Sequence, residues 1–354
     1  EELKKGKVPV TALRAAIIIG SGSASYEIIQ HLVKKIPVML IPRWAMTKCQ
    51  PIAIRDVIKY LVGVLEIPQT AGRSFDIGGN DILSYYEMLK IRAELLNKKR
   101  LFVPFFSYLP LYTYIGAFIT PVPAPITRSL MEGLKNEVVC QNNAIKEYLP
   151  FRPLPYKEAI IRAMNREEQD RIYTRWSDAY PPAHELAIKF HELQADPKYT
   201  STYSLITSKD APSLFKSMCR VGGKEGWFSN NWLWRVRGGI DKIFLGVGTS
   251  RGRKSQTTLK INDVVDFWRV EDLQKNVRLL LRAEMKLPGK AWLEFRIREA
   301  GSHRVLLITA NYYPEGYFGE LYWYLFLPFH RLLFNNLIKQ VETRSVHTSP
   351  DGEC

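Results

Sequence analysis

Residues 8–19 read VPVTALRAAIII, an apolar run rich in β-branched side chains that follows a turn at Gly6. Such a run, with little polar alternation, predicts a strand buried on both faces of a parallel sheet. Gly20-Ser21-Gly22-Ser23-Ala24-Ser25 separates it from a helical pattern over Tyr26–Lys35, and a short apolar strand, Val38–Ile41, comes next. Ile54–Leu65 reads as a further helix, with Asp56 in the first turn where a carboxylate suits the positive end of the helix dipole. Ser74–Ile77 supplies another strand before Gly78-Gly79, and Ser84–Asn97 another helix. Alternating strands and helices of this kind indicate an α/β unit, here the C-terminal part of a Rossmann-like parallel sheet.

The period changes further along. Glu167–Thr200 is polar, with Pro181-Pro182 and Asp196-Pro197, as in a connection between domains. Beyond it Val277, Leu279, Leu281, Ala283 and Met285 alternate with Arg278, Arg282 and Glu284, and Leu287-Pro288-Gly289-Lys290 turns the chain. Ala291, Leu293, Phe295 and Ile297 then alternate with Glu294, Arg296 and Arg298, which predicts a hairpin with one wet face. Val264–Val270 before it and Val305–Ala310 after it extend this to a four-stranded meander, with one more strand near Tyr203. Arg282, Glu284, Glu294 and Arg296 share a face and form cross-strand ion pairs. Phe318–Glu342 reads as a closing helix that Pro328 should kink or delay. The expected division is an α/β domain over 1–165, a linker over 166–200, an antiparallel α+β domain over 201–345 and a tail over 346–354.

The composition of the 354 residues, 46% hydrophobic and 24% charged, is that of a folded globular protein. Cys49, Cys140, Cys219 and Cys354 lie far apart with no CxxC pair, so neither a zinc site nor a disulfide framework is indicated, and a reducing compartment, cytoplasmic or organellar, is expected. A net charge of +15 invites a nucleic-acid reading, and ten Lys or Arg fall between Leu214 and Lys260, including the run Arg251-Gly252-Arg253-Lys254. No zinc finger or aromatic RNA-binding strand accompanies them, so a solvated basic loop is expected and nucleic acid is not. Leu101–Thr127 carries no charge and is long enough to span a bilayer. Pro104, Pro110, Pro121, Pro123 and Pro125 would break the hydrogen bonds a lipid-exposed helix needs, so a buried segment or membrane contact is expected and a transmembrane span is not.

Gly20–Ser25 occupies the place of a dinucleotide fingerprint, but Ser25 stands where the third glycine belongs, and the next strand ends in Pro42-Arg43 with no acidic ribose ligand. It reads as a later strand-to-helix turn of such a sheet. His184 and His191 share a helix face at a spacing too long for a zinc-binding HExxH pair, and Tyr86-x-x-x-Lys90 is a chance spacing on a helix after the sheet.

Three blocks occur in order: Thr11-Ala12-Leu13-Arg14 followed by Gly20, Pro51-Ile52-Ala53-Ile54-Arg55-Asp56-Val57, and Phe75-Asp76-Ile77-Gly78-Gly79. Together they resemble the C-terminal half of the extended short-chain dehydrogenases/reductases, in particular the atypical subgroup that includes the NAD(P)H-binding accessory subunit of respiratory complex I. The resemblance places Arg14, Ala15, Ala16 and Ile17 at the nicotinamide end of the cofactor and Gln50 and Pro51 on the substrate side, although Ala15 replaces the usual proline. It implies NAD or NADP as cofactor of an intact protein whose Gly-rich loop and catalytic Tyr and Lys precede Glu1, so that this fragment alone does not bind it.

Thr174–Asp178, Gly252-Arg253, Val265-Asp266-Phe267-Trp268, Ala283–Gly289 and Tyr322-Trp323-Tyr324 resemble the uncharacterised domain found fused behind such proteins. The order of elements also suits the helix-grip fold of START-like proteins, whose apolar cavity would take a small apolar substrate or face a lipid surface. Two functions stay open: an NAD(P)(H)-binding oxidoreductase or epimerase-like enzyme with an apolar-ligand or membrane-associated second domain, and a non-catalytic dinucleotide-binding scaffold or assembly factor.

Overall fold

The apolar run that opens the chain forms two short strands with different partners. In the computed structural model, which describes residues 2–105, 116, 119–169, 174–178, 190–192, 196–223, 225–227, 231–243, 246, 248–253, 255 and 258–345, the chain divides into a first unit, 1–175, and a second, 176–354. The first unit contains β1 (Ala12–Ala15), β2 (Ile18–Ile19), α1 (Ala24–Lys35), β3 (Val38–Pro42), β4 (Lys48–Cys49), β5 (Ile52–Ala53), α2 (Ile54–Leu65), β6 (Ser74–Ile77), β7 (Leu83–Ser84), α3 (Tyr85–Leu95), β8 (Leu101–Phe105), α4 (Ala124–Gly133), α5 (Ile145–Tyr148) and α6 (Tyr156–Glu168). β1 pairs in parallel with β6, β2 with β5 and β3 with β8, while β4 and β7 pair antiparallel. Parallel strands joined through helices make this an α/β unit. The expected continuous strand over 8–19 is corrected: Ala16 and Ile17 interrupt it, because β1 follows β6 while β2 turns to β5.

Asp56 does more than complement a dipole. It is wholly buried, and its carboxylate accepts the backbone N–H of Leu154 at 2.7 Å and Lys59 Nζ at 3.1 Å, pinning the segment before α6 to the start of α2. Tyr26, Met88, Tyr156 and Ile160 form one apolar core of the unit, and Ile52, Tyr60, Phe75 and Ile77 another. The uncharged stretch 101–127 contributes β8 and the start of α4, its residues 106–115, 117 and 118 lying outside the described ones.

The second unit contains β9 (Tyr199–Thr207), α7 (Ala211–Met218), α8 (Asn231–Ile243), β10 (Val264–Val265), β11 (Trp268–Gln274), β12 (Arg278–Ala283), β13 (Gly289–Ala300), β14 (His303–Pro314) and α9 (Gly316–Thr343). Its strands make one six-stranded antiparallel sheet in the order β10-β11-β12-β13-β14-β9. The expected strand near Tyr203 is β9, which adds to β14, and six strands replace the expected five because the strand expected over 264–270 folds into a tight hairpin, Val265 opposite Trp268. Asp266, in that turn, holds φ at 54°, a left-handed conformation that Asp tolerates better than most residues. Pro288-Gly289 makes the expected turn, and a Cβ on Gly289 would meet the Tyr313 carbonyl at 2.4 Å.

One sheet face carries Leu281, Leu293, Phe295, Leu306 and Ile308, and Phe334, Leu337, Ile338 and Val341 of α9 join them in a single core. Pro328 lies inside α9. It has no N–H to offer the Tyr324 carbonyl, and because both residues are exposed water can serve that carbonyl instead. Lys209 closes the far end of the helix, donating from Nζ to the carbonyls of Glu342, Thr343 and Ser345.

Glu284 departs most from the surface ion pair expected of it. Its carboxylate is buried between Arg251, 2.7 Å from Nη1, and Arg269, 2.5 Å from Nε. Burial alone would push its carboxyl up, but the two guanidiniums hold it below the ordinary carboxylate range. Arg251 also donates to the Asp266 carbonyl at 2.8 Å, Arg269 to that of Ser177 at 3.0 Å, and Arg253 to that of Val221 at 3.1 Å. The basic run around Arg251 is therefore partly an internal brace. Removing one partner of such a buried group strands the others without compensation. Glu284→Ala is expected to cost the second unit about 3–5 kcal/mol, measured by guanidinium unfolding followed through tryptophan fluorescence, since every tryptophan except Trp44 lies in that unit. A loss below about 1 kcal/mol, the scale of an exposed ion pair, would show that the network does not carry this load.

Candidate functional site

β1 and β6 run side by side, Arg14 opposite Asp76 and Ala15 opposite Ile77, and end together. Past their carboxyl ends lies a polar pocket of about 270 Å³, lined by Arg14, Ala15, Ala16, Gln50, Asp76, Ile77 and residues 137–141. Its shape comes from a close approach of backbones. A Cβ on Gly79 would meet the Pro51 carbonyl oxygen at 2.0 Å, and one on Gly78 would meet Gln50 Cδ at 2.4 Å. Only two glycines let the 78–79 segment lie this close to residues 50–51.

Gln50 spends both ends of its amide here, donating from Nε2 to the Gly79 carbonyl at 2.8 Å and accepting the Cys140 N–H at 3.1 Å. Asp76 accepts from Arg14 Nε at 2.7 Å and from the Gln141 N–H at 3.1 Å. Two side chains thus hold the 140–141 backbone as a wall. Arg14 is 64% exposed, so its guanidinium presents a cation to the open side of the pocket. Burial and the nearby Asp76 push the Cys140 thiol up, which keeps it protonated and a poor nucleophile.

The structure brings Arg14, Ala15, Ala16 and Gln50 together in this pocket. Ile17 lies elsewhere, on an apolar cavity of about 360 Å³ in the same unit, lined also by Trp44 and Met88. Pro51 is buried, with its carbonyl against Gly79, and does not line the polar pocket. Asp76 belongs to a block the sequence singles out, whereas residues 137–141 carry no signal and reach the site through pairing with Lys48–Gln50 and the bond from Gln141 to Asp76.

The turn at Gly20–Ser25 cannot receive a diphosphate as it stands. Ser23 caps α1 by accepting the Tyr26 N–H at 3.2 Å, and a Cβ on Gly22 would meet the Thr174 carbonyl at 2.4 Å, so the helix start is occupied and covered. A dinucleotide's diphosphate needs free N–H groups at a helix N-terminus. Tyr86, of the chance Tyr-x-x-x-Lys spacing, packs edge-on against Phe102. His184 lies outside the described residues and His191 is exposed. Among the described residues no three His, Cys, Asp or Glu side chains gather as metal ligands.

In the second unit an apolar cavity of about 320 Å³ lies between the sheet, α8 and α9, lined by Trp234, Trp268, Trp292, Tyr312, Trp323 and His330 among others. Asp241 holds α8 in place, accepting the backbone N–H of Gly248 at 2.7 Å and of Lys286 at 2.6 Å.

Residues 193–337 match the family described as protein of unknown function, DUF2867. Comparison with curated protein sequences returns no match. Among solved structures the chain is similar to Pal from Bacillus thuringiensis, at 10% identity over 46% of each chain with a TM-score of 0.33. It is likewise similar to UDP-glucuronic acid 4-epimerase from Bacillus cereus, solved with UDP-glucuronic acid and NAD, at 14% identity over 46% of each chain with a TM-score of 0.33. The dTDP-4-dehydrorhamnose reductase of Bacillus anthracis, solved with NADP, aligns at 12% identity over 43% of this chain and 47% of its own, with a TM-score of 0.31. The chain thus spans less than half the length of these solved proteins.

Burial pushes the His330 imidazole down to about 4, so it is neutral at neutral pH, and its Nδ1 finds no hydrogen-bond partner. A depressed value means that the unfolded chain takes up the proton first: stability is intact above the ordinary value of 6.5 and is lost as pH falls toward about 4. Asp266, which burial raises to about 6, acts in the opposite sense, stabilising the fold below its ordinary value of 3.8 and losing that contribution as pH rises through 6. Comparing wild type with His330→Phe isolates the first effect. The variant is expected to gain on wild type, by up to about 3 kcal/mol, as pH falls from 6.5 to 4. A gap in thermal midpoint that stays constant across that window would show His330 to be freely protonated in the fold.

Proposed function

We propose that the first unit forms the nicotinamide and substrate side of an SDR-like NAD(P)(H) site in an oxidoreductase or epimerase-like protein of the atypical, extended kind. On this reading the second unit is a START-like domain that holds an apolar ligand in the cavity between sheet and helices. The observation that carries the proposal is the gathering of Arg14, Ala15, Ala16 and Gln50 past the carboxyl ends of two parallel strands. That is where open α/β sheets bind their ligands. Arg14 would face the anionic or polar part of the ligand, and the backbone wall at 138–141 would set its position.

One feature favours the non-catalytic alternative, a dinucleotide-binding scaffold or assembly factor. The described lining of the pocket includes no Tyr, Ser, His or Lys, and its one thiol is held protonated. Its carboxylates are Asp76, already paired with Arg14, and the exposed Glu137, so the described lining holds no Tyr and Lys pair of the kind that transfers a hydride in the enzymes the sequence resembles.

Calorimetric titration of residues 1–354 with NADH and with NADPH is expected to give no saturable binding in the micromolar range, because the turn in the place of a dinucleotide fingerprint, Gly20–Ser25, is capped by Ser23 and covered at Gly22. Micromolar binding by this chain would overturn the division of the site. In a chain extended upstream through a Gly-rich strand-to-helix turn, binding should appear and weaken on Arg14→Ala. Turnover of the bound cofactor would then favour the enzyme, and tight, non-exchanging cofactor the scaffold.

A further inference from the structure

Two helices of the second unit keep apolar faces that no described residue covers. On α9, Phe318, Leu321, Leu325 and Phe329 recur at three- and four-residue steps and form one stripe, with Phe318 77% and Leu325 62% exposed. On α8, Trp232, Val236 and Ile240 recur every four residues, and Trp232 is 62% exposed. Phe329 and the three α8 residues also line the cavity of the second unit, so the two stripes meet at its mouth. Helices that served only to close a core would bury such side chains.

Beyond Glu315 and Glu320 at the start of α9, the exposed charges around these stripes are positive. Between Glu320 and Glu342 the sequence of α9 has no acid and carries Arg331 and Lys339, both exposed. Glu320 itself is paired with Lys198. On α8 Arg235 is exposed, while the helix's one acid, Asp241, is buried and engaged by backbone N–H groups. A second copy of the chain packing symmetrically on this surface would bring these cations face to face. An anionic bilayer would complement them, its acyl region taking the exposed aromatic and aliphatic side chains and its headgroups the arginines. Among the described residues no helix is long and apolar enough to cross a membrane, so the contact would lie in the interface.

We propose that the exposed faces of α8 and α9 dock the protein onto an anionic lipid bilayer, with the mouth of the apolar cavity turned toward the acyl chains. This surface goes beyond the dinucleotide reading and stands whether or not that reading holds.

The test is co-sedimentation of the 354-residue chain with phosphatidylcholine vesicles, with and without phosphatidylserine, at low and high salt. Wild type should pellet with the serine-containing vesicles and less so as salt rises. Leu321→Asp with Leu325→Asp should abolish pelleting at an unchanged melting temperature. Arg235→Gln with Arg331→Gln should lower the partition coefficient roughly tenfold or more and flatten its salt dependence; because both arginines are exposed, this pair keeps the test decisive should the aspartate variant misfold. Failure of wild type to pellet with anionic vesicles, or pelleting unchanged in the two double variants, would overturn the proposal. So would sedimentation velocity showing a wild-type dimer that the aspartate variant dissolves, since a second copy would then be the occupant.

Discussion

A carboxylate withdrawn from water must find opposite charge and hydrogen bonds within reach, and the second unit is arranged around meeting that demand at Glu284. Arg251 reaches it from the loop after α8 and Arg269 from the neighbouring strand β11, so the loop is drawn onto the sheet. The same loop carries Arg253 to the carbonyls of Cys219 and Val221 beyond α7. α8 is tied down separately, by Asp241 to the backbone of Lys286 and by Arg237 to its carbonyl at 3.0 Å. With polar residues holding the framework, aromatic side chains are left to line a cavity instead of filling it. The densely patterned blocks around Gly252-Arg253, Val265–Trp268 and Ala283–Met285 are in this light mainly structural.

The first unit solves a different problem with backbone proximity. Gly78 and Gly79 let one segment pass against Gln50 and Pro51 at distances that no Cβ would allow. Gln50 then satisfies the groups on either side of it, and Asp76 does the same for Arg14 and Gln141. Gln50 and Asp76 are occupied in shaping the pocket, and the exposed Arg14 and Glu137 remain on its open side.

Local pattern carried a good deal of this. The bounds of α2, Ile54–Leu65, and of β6, Ser74–Ile77, follow from apolar period and flanking residues alone. So does the β12–β13 hairpin, whose alternation and Pro288-Gly289 turn are sufficient to specify it. The pocket was half legible: the blocks that contain Arg14, Gln50 and Asp76 stand out in the sequence, but the wall at 137–141 does not, because it reaches the site through hydrogen bonds with residues some ninety positions away.

The sequence by itself determined where strands and helices form and which of their sides are apolar, since both depend on neighbours within a few residues. Tertiary structure decided what those sides meet. It broke the run 8–19 between two partner strands, separated Ile17 from Arg14, buried Glu284 where alternation predicted a wet surface, and left the aromatic stripe of α9 uncovered. The reason is physical: periodicity records that a face is apolar or charged, while burial and ion pairing depend on atoms brought from distant parts of the chain, which no local pattern contains.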